Sequence, residues 1–448
     1  MLKHKNLTLF ALLLSSFMWG QQPISLDQAL QEALRNNRSA LNANRDIEMA
    51  QKQYWEAIAL GLPQISASAD YINAIEQPTT IIPGEFLGGN PGEFTELTFG
   101  DEQTVNAQAR VDQLIFDGSY LVGLQASKVF LAISKQAKIK NNLELRRLVT
   151  DAYLSMLLAM EQTEVLSNNV ANVEATLLET QKMVDNGLVE EELVEQLHIT
   201  LTSLKSSLDY SQRMVPITKN MLNLVMGKPL SDPINPSDNL LGLCMKQLGN
   251  NADATLDLEQ NIDYQIAQND QRSQELLHKL ERFRALPTIS AFASGGYDGY
   301  GDAFDFLERH QSWHGRASMG VSINLPIFSS GSRHASTQRA KINVEKAKTQ
   351  VEETEAQLML QWATLKNQYT LAMENFKRSQ ENLSLAERIE NKNQIKFNEG
   401  LVGSFTLRDA QIQLYQAQNE YLTAMQSVIQ ARTNLDILLH TTPKNEKK

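Results

Sequence analysis

Leu62–Ala67 (LPQISA) recurs later in the chain as Leu286–Ala291 (LPTISA), and two more motifs recur in the same order. They are Leu114–Ser119 (LIFDGS) with Pro326–Ser332 (PIFSSGS), and Asn186–Val189 (NGLV) with Glu399–Val402 (EGLV). Gly118 precedes Gly187 by 69 positions, and Gly331 precedes Gly400 by the same 69. Chance matches do not keep a spacing this well, so the sequence predicts an internal twofold repeat.

The repeat predicts how the chain is organised. We expect a first repeat over residues 21–226, an insertion over 227–258 with a short element near 240–248, and a second repeat over 259–448. Each repeat should contain, in order, a helix, a strand, a loop, a strand, a long helix, a turn and a helix. In the first repeat we expect Ser25 to cap a helix that runs to Leu60, where Gly61 and Pro63 stop it.

Two predicted strands show a strict alternation of apolar and polar residues, which places one set on each face of a sheet. The apolar sets are Val105, Ala107, Ala109 and Val111 in the first repeat, and Ala317, Met319, Val321, Ile323 and Leu325 in the second. Weaker strand patterns cover 62–71 and 286–295. The stretches 73–103 and 299–315, rich in glycine or proline, are expected to be exposed loops. For any one of the predicted strands, the alternative is a half-buried strand of a soluble domain.

The long helices carry a heptad pattern of small and apolar residues, which predicts coiled-coil packing. One such series is Leu414, Ala417, Tyr421, Ala424, Val428, Ala431, Leu435 and Leu438, and a second series starts at Ala340. A helix of 69 residues would be roughly 100 Å long at about 1.5 Å per residue. Such a length predicts a rod or a tube.

The N-terminus predicts export. Lys3 and Lys5 precede an apolar run from Leu7 to Trp19 and the small residue Gly20, as in a secretory signal over residues 1–20. A retained membrane anchor is the alternative. Without the signal the formal charge changes from −11 to −13, which disfavours nucleic acid as a partner. No other apolar run is long enough for a transmembrane helix, so a membrane role would come from strands or from surface binding.

Other residue combinations predict little chemistry. His310 and His314 are four apart, but nearby glycines favour a loop over a metal-binding helix. The glycine-rich segment 295–301 lacks phosphate-binding spacing, and its Tyr297 and Tyr300 fit either turn chemistry or an interfacial position near a strand end. The single cysteine, Cys244, is expected to pack as a small apolar side chain. We therefore expect no cofactor, no metal and no enzymatic activity.

Acidic residues follow both glycine turns. The first group is Glu190, Glu191, Glu192 and Glu195, which follow Gly187, and Asp409 follows Gly400. Acids in the first turn of a helix interact favourably with the helix dipole. For the four glutamates, this structural role and a functional role are both open. Asp409 lies farther from the turn, so the dipole explains it less well.

In these combined features the sequence resembles the TolC-like outer-membrane efflux family over essentially all of its mature length. The resemblance rests on Ser25–Asn37 (SLDQALQEALRNN), the duplicated LPxISA, the two strand ends that contain Ile-Phe, and the two GLV turns. It implies a mainly α fold in which long antiparallel coiled-coil helices form an α-barrel, and each subunit adds four strands to one trimeric β-barrel. It implies an outer-membrane location with extension into the periplasm.

The resemblance further implies a passive exit duct for tripartite efflux or type I secretion. The implied partners are two identical subunits, a periplasmic adaptor, an inner-membrane pump and outer-membrane lipid. The tip that docks the adaptor would contain Gly187, Leu188, Gly400 and Leu401. Asp409 matches a family position for an acidic gate residue, whereas Thr406 stands where a second acid is common, which weakens the predicted ring.

The symmetry of a trimer leads to a specific hypothesis for the role of Asp409. Asp409 immediately precedes Ala410, where the heptad series begins, so it can face the lumen of a helical tube. Three such carboxylates near one axis would favour cations and bind divalent ions weakly. A solvated aspartate on the outer helix face is the alternative.

Physical reasoning also predicts an oligomer, because four strands cannot close a barrel and open strand edges are not tolerated in lipid. Three subunits would supply twelve strands, more than the eight that side chains fill. The main rival is an exported structural or adhesive coiled coil, which predicts no alternating strands. An adaptor, with one helical hairpin, and an exported enzyme fit the duplicated pattern less well.

Overall fold

The computed structural model describes residues 23–88, 90–248 and 255–440. The predicted signal at residues 1–20 lies outside this range. Within it, the chain is mostly helical and has one four-stranded sheet, as the sequence predicts for the fold class. The helices are α1 (Leu26–Asn36), α2 (Arg38–Ala59), α3 (Gly118–Asp185), α4 (Glu192–Met226), α5 (Leu240–Leu248), α6 (Ile262–Phe283), α7 (Ser332–Asn398) and α8 (Ser404–Leu438). The strands are β1 (Gln64–Asn73), β2 (Thr79–Pro83), β3 (Phe94–Thr98), β4 (Gln103–Phe116), β5 (Thr288–Gly301) and β6 (Trp313–Asn324).

The contacts divide the chain into two compact units, and each takes segments from both predicted repeats. The sheet unit consists of Glu48–Ala132 and Asn269–Thr349. The helical unit consists of the other described residues, in 23–47, 133–268 and 350–440. These units do not test the predicted division into a first repeat (21–226), an insertion (227–258) and a second repeat (259–448), which stays a prediction. None of the described helices is both long enough and apolar enough to span a membrane.

The first helix begins as predicted. Ser25 caps α1 through a reciprocal pair of bonds, in which its hydroxyl accepts from the Gln28 amide and the Gln28 side chain accepts from the Ser25 amide. The predicted unbroken helix to Leu60 is wrong, because Asn37 adopts an extended conformation and separates α1 from α2. Its side-chain Nδ2 donates to the Val225 carbonyl at 2.7 Å, and its side-chain oxygen accepts from the Ser39 backbone amide at 2.7 Å. The backbone amide of Asn37 still donates to the Ala33 carbonyl at 2.9 Å, so these side-chain bonds act in addition to the helical one.

The helical unit has a continuous apolar core. Tyr153 and Met156 of α3, Leu222 of α4, and Val428 and Ile429 of α8 have no exposed surface. Burying side chains of this size contributes about 1.5–3 kcal/mol each. In α8 the predicted heptad positions Ala410, Ala417, Val428, Leu435 and Leu438 are buried, and the other four positions of the series are half-buried. Leu422, Met425 and Ile429 lie outside the series and are buried as well.

The insertion is anchored to this core, and the predicted short element is the helix α5. Tyr153 donates its hydroxyl to the Ile24 carbonyl at 2.8 Å and lies 3.0 Å from an Asp238 oxygen that also accepts from the Leu26 amide. Burial raises the pKa of Tyr153 well above its ordinary value. Cys244 on α5 is fully buried, as predicted for an apolar packing role, and burial raises the pKa of its thiol to about 11.

The four-stranded sheet has the order β1-β4-β5-β6 and is antiparallel throughout. β5 is the first strand of the second predicted repeat, so the β4–β5 pair joins strands of the two repeats. The predicted loop at 73–103 is partly wrong, because it contains the hairpin β2–β3, whose β-branched run Thr79–Ile82 favours a strand. The predicted loop at 299–315 is shorter than expected, since β5 extends to Gly301 and β6 begins at Trp313.

Candidate functional site

The main sheet has one apolar and one polar face, fixed by the register of its strands. Directly opposed residues share a face. The apolar rows are Ile65–Val111–Ala293–Met319, Ala67–Ala109–Gly295–Ala317, Ala69–Ala107–Tyr297–Gly315 and Tyr71–Val105–Gly299–Trp313. The polar rows include Ser66–Arg110–Ser294–Ser318, Ser68–Gln108–Gly296–Arg316 and Asp70–Asn106–Asp298–His314. The alternation predicted from single strands therefore extends across all four.

Away from the loop end of the sheet, the apolar face is not covered by any described part of the chain. Met319 exposes 87% of its surface, Ile65 76% and Ile323 67%. A soluble monomer rarely exposes a continuous apolar surface of this kind. Among the described residues, β1 and β6 also pair on one side only, so both ends of the sheet are open. The sheet therefore lacks both a cover for its apolar face and neighbours for its edges.

The polar face carries a connected set of charges. Arg110 pairs with Asp112 at 2.8 Å and lies 4.5 Å from the centre of the Phe292 ring. Arg316 pairs with Asp298 at 3.2 Å and donates to Gln108 at 3.5 Å. Cations and carboxylates thus alternate along this face, which suits contact with water and with polar or charged solutes.

Aromatic side chains gather at the loop end of the apolar face. Tyr71 stacks edge-on with Phe304 at 5.3 Å between ring centres, and Phe304 does so with Phe306 at 5.9 Å. A Cβ at Gly299 would lie 3.2 Å from both Phe306 and Trp313, so the glycine lets these rings approach the sheet. Aromatic residues at the end of an apolar band are typical of membrane interfaces.

The structure corrects two sequence interpretations in this region. Segment 295–301 is not a turn but part of β5, where Tyr297 lies on the apolar face and Tyr300 on the polar face. His314 lies in β6, and only His310 lies in a loop, so the two histidines share no helix. Over the described ranges no group of three or more histidine, cysteine or acidic residues could hold a metal ion.

The two glycine turns have nearly the same geometry. At Gly187 φ is +72°, its amide donates to Val184 at 2.8 Å, and the Leu188 amide donates to Met183 at 2.9 Å. At Gly400 φ is +73°, its amide donates to the Phe397 carbonyl at 2.9 Å, and the Leu401 amide donates to Lys396 at 2.8 Å. This is the Schellman pattern, which ends a helix with a glycine in the left-handed conformation.

The leucines that follow these glycines are exposed. In a Schellman turn an apolar residue at this position commonly packs back on the last helical turn. Here Leu188 exposes 72% of its surface and Leu401 exposes 68%. Each turn therefore presents a leucine to the surroundings.

The predicted acidic residues are placed as follows. Glu192 and Glu195 lie in the first turn of α4, as the dipole interpretation expects, while Glu190 and Glu191 precede it, and all four are exposed. Asp409 and Thr406 are exposed positions of α8, whose first residue is Ser404. Asp409 is thus the sixth helical residue, about one and a half turns into the helix at roughly 3.6 residues per turn. Its relation to a lumen stays a prediction.

Several polar residues near the turns were not found by sequence reasoning. The Arg408 guanidinium lies 4.9 Å from the Phe405 ring, and its Nε has no hydrogen-bond partner. Gln411 is 2% exposed, and its side-chain oxygen is also without a partner. The spacing of polar residues along a helix does not reveal which of them are buried. Arg408 and Gln411 therefore could not be found from the sequence.

Three comparisons place this geometry among known proteins. The family model described as outer membrane efflux protein matches residues 256–439. A search of curated proteins finds no match. The structure of the outer membrane protein VceC from Vibrio cholerae has a TM-score of 0.71 at 16% identity, over 93% of this chain and 96% of that chain.

Two further structures are similar along nearly their whole length. CusC has a TM-score of 0.75 at 17% identity and covers 94% of this chain and 93% of that chain. The CmeC outer membrane channel of Campylobacter jejuni has a TM-score of 0.72 at 16% identity and covers 94% and 90%. At these identities the likeness establishes the fold. The model of the outer membrane efflux protein family thus matches residues 256–439, and the chain has the same fold as the outer membrane proteins VceC and CmeC and as CusC.

Proposed function

We propose that the chain is an outer-membrane channel subunit of a tripartite efflux or type I secretion system. It acts as a passive exit duct, and its substrates are small molecules or exported polypeptides loaded by a pump. The proposed location is supported by the match of residues 256–439 to the outer membrane efflux protein family and by the fold shared with CusC and the CmeC outer membrane channel. The sheet argues against the alternative of a structural or adhesive coiled coil, since such a protein needs no amphipathic strands.

The observation that carries the proposal is the exposed apolar face of the four-stranded sheet. Ile65, Met319 and Ile323 lie on that face, and the opposite face holds Arg110 and Arg316. Outer-membrane barrels place apolar side chains toward lipid and polar side chains toward the lumen. Lipid therefore supplies the missing cover for the apolar face.

The open edges require additional strands, because unpaired backbone groups in lipid are costly. The proposal closes the sheet with the sheets of identical subunits. Two copies would give eight strands, whose interior is filled by side chains, whereas three copies give twelve and leave a channel. A homotrimer is therefore the smallest assembly of this chain that conducts.

The exposed leucines support a docking role for the two glycine turns. In the proposal, Gly187 with Leu188 and Gly400 with Leu401 bind a periplasmic adaptor, which links the channel to an inner-membrane pump. Their shared Schellman geometry gives the adaptor two equivalent contact points per subunit. The nearby acidic tip cluster of Glu190, Glu191, Glu192 and Glu195 adds negative charge that would favour a basic adaptor surface.

The gate is proposed at Asp409 and Thr406, which are exposed on one helix beside the buried Leu407 and Ala410. Threefold symmetry would form a ring of Asp409 carboxylates at the periplasmic entrance. Because Thr406 is neutral, this ring would hold one acid per subunit. Such a ring favours cations and binds divalent ions weakly.

The test is to purify the chain from outer membranes in detergent and measure its native mass and conductance. We expect a trimer that runs as a monomer after heating, and discrete channels in planar bilayers. A stable, non-conducting monomer in mild detergent would contradict the proposal. The same chain recovered from the periplasm as a soluble rod would instead favour the structural coiled coil.

A further inference from the structure

The helical unit contains a cavity of about 490 Å³ between α3, α4 and α8. This volume lies within the range of about 300–1,000 Å³ that is typical of small-molecule sites. Asn169 of α3 and Ser211 of α4 line the cavity and are 3% and 5% exposed. Ser203 and Ser207 of α4 line it as well and are exposed. The cavity therefore has a buried floor and an open side through which a small molecule can enter.

The wall of this cavity is polar but uncharged. Every described residue that lines it is a serine, tyrosine, asparagine, glutamine, valine or leucine. The hydroxyl and amide side chains of this set can donate and accept hydrogen bonds. None of them can neutralise an ion, and burying an ion without a counter-charge is costly. The wall therefore favours an uncharged molecule that has several hydrogen-bonding groups.

Two amide side chains of the wall are held in place by bonds between α3 and α8. Asn169 donates its Nδ2 to Gln418 at 2.9 Å, and Gln162 donates its Nε2 to the Asn419 oxygen at 3.3 Å. These bonds leave the Asn169 oxygen as an acceptor and the Asn419 nitrogen as a donor. Because the amides are already ordered, a molecule that bonds to them has less side-chain entropy to remove.

Hydroxyl groups supply the other polar positions. Ser206 donates to the Thr202 carbonyl at 3.0 Å and Ser207 to the Ser203 carbonyl at 3.0 Å, so the oxygens of both serines can still accept a hydrogen bond. Across the cavity, burial raises the pKa of Tyr415 to about 12. The Tyr415 hydroxyl therefore keeps its proton at neutral pH and can act as a donor. The cavity thus offers both donors and acceptors from different helices.

The remaining lining is apolar. Val165 and Leu166 of α3 and Leu422 of α8 contribute aliphatic surface, and Tyr210 and Tyr415 contribute aromatic rings. Flat aromatic faces pack well against apolar rings and against the C–H face of a sugar ring. Water could satisfy the hydroxyls and amides, but it would leave this apolar surface hydrated. The mixed lining therefore matches a molecule with hydroxyl groups on one part and an apolar ring on another.

We propose that this cavity binds an uncharged glycoside, whose sugar hydroxyls bond to the serines and amides and whose apolar ring lies against Val165 and Leu422. The site lies within a single copy of the chain, so it goes beyond the proposed channel and does not depend on the trimer. A molecule in it contacts α3, α4 and α8 together. Since it binds the folded chain alone, it should raise the melting temperature as its concentration rises.

Titration of the intact protein with phenyl β-D-glucoside tests the site. The protein is kept in lauryldimethylamine oxide, because a detergent with a sugar headgroup would compete. We expect saturable binding of one glucoside per chain by calorimetry. Phenyl β-D-glucuronide differs by a carboxylate and should bind at least about tenfold more weakly, because the wall cannot neutralise it. Absence of saturable glucoside binding, or equal affinity for the two compounds, overturns the inference.

Two variants assign the binding to this cavity. Ser203→Trp places a large ring at the open side and should weaken glucoside binding by about tenfold or more. Thr202→Trp is the matched control, because Thr202 is exposed on the same helix and does not line the cavity, and it should bind as the original chain does.

Tyr415→Phe removes one hydroxyl and keeps the ring, so it should weaken binding by about two- to tenfold. Tyr421→Phe on the same helix, outside the lining, should leave the affinity unchanged. If Ser203→Trp and Tyr415→Phe both bind the glucoside as the original chain does, the glucoside binds elsewhere and the inference is overturned. A native monomer that binds the glucoside in this cavity would contradict the proposed channel and support this inference.

Discussion

Large apolar side chains are buried in the helical unit and exposed in the sheet unit. Met156, Leu222 and Ile429 of the helical unit are fully buried, whereas Ile65, Met319 and Ile323 of the sheet unit expose 67% or more of their surface. The helical unit obtains its stability from burial within the chain. The sheet unit has an apolar face that only another molecule or lipid can cover. The difference shows that one unit folds against itself and the other is completed by its surroundings.

The largest expected effect tests this comparison with one substitution in each unit. Ile429→Ala should lower the free energy of unfolding by about 2–5 kcal/mol, because it leaves a cavity in the α8 core. Ile323→Ala, on the exposed sheet face, should change it by no more than about 0.5 kcal/mol. Denaturant titration in detergent, followed by helical circular dichroism, measures both. Equal changes in the free energy of unfolding for the two variants would contradict the difference between the units.

A charge on either sheet face sharpens the comparison within the sheet unit. Met319→Lys should disfavour membrane insertion by about 2–4 kcal/mol if the residue lies near the bilayer midplane. Ser318→Lys lies next to it on the polar face and should insert normally. The amounts of each variant in purified outer membranes provide the measurement. Normal insertion of Met319→Lys would show that lipid does not cover this face of the sheet.

The turn leucines are an exception in the helical unit, since they are apolar and exposed. Leu188→Glu combined with Leu401→Glu should abolish efflux while unfolding stability changes by no more than about 0.5 kcal/mol. Drug accumulation in cells and the trimer fraction in membranes are measured together. Active efflux by this variant would remove the turns from the docking site.

Asp409→Ala should have a smaller effect, confined to conduction. Removing the carboxylate should reduce cation preference and block by divalent ions added on the periplasmic side. Single-channel recording in planar bilayers measures both, with Glu420→Ala as a matched exposed acid on the same helix. Unchanged selectivity and block would place Asp409 on the outer helix face and make the glutamate cluster the next candidate.

The smallest expected effect concerns a half-buried acid in the helical unit. Burial raises the pKa of Glu161, although the carboxylate accepts the Leu240 amide at 2.8 Å, which lowers it. Because the folded pKa exceeds the ordinary value of 4.5, the charged form disfavours folding above the folded pKa, and this cost disappears as pH falls toward 4.5. Glu161→Gln keeps an oxygen acceptor and should reduce the loss of stability between pH 4.5 and neutrality. Parallel unfolding curves for both proteins across that range would contradict it.

Much of the fold could be read from local pattern. The Ser25 cap, the alternating strands, the α5 element and the α8 seam follow from residue type and spacing, because caps, strands and coiled coils each have a fixed period or a local hydrogen bond. The break at Asn37 could not be read, since it depends on a bond to Val225 far along the chain. The hairpin β2–β3 was hidden by the glycines and prolines around it.

The candidate site divides in the same way. Gly187 and Gly400 were predictable, because a repeated glycine after a long helix indicates a left-handed helix end. The exposure of Leu188 and Leu401 was not, because a leucine in a Schellman turn more often packs on its own helix. The placement of Tyr297 and Tyr300 on opposite faces also required the register of β5.

The sequence by itself determined the repeat motifs, the period of each element and the apolar and polar faces of the strands. Only the tertiary structure decided which of two equivalent asparagines is buried. Asn169 is 3% exposed and bonded to Gln418, whereas Asn382, which occupies the matching position of the second predicted repeat, is exposed. The residue type is identical, and the difference lies in the neighbouring helix. Burial is a property of what packs against a side chain, and spacing along one helix does not encode it.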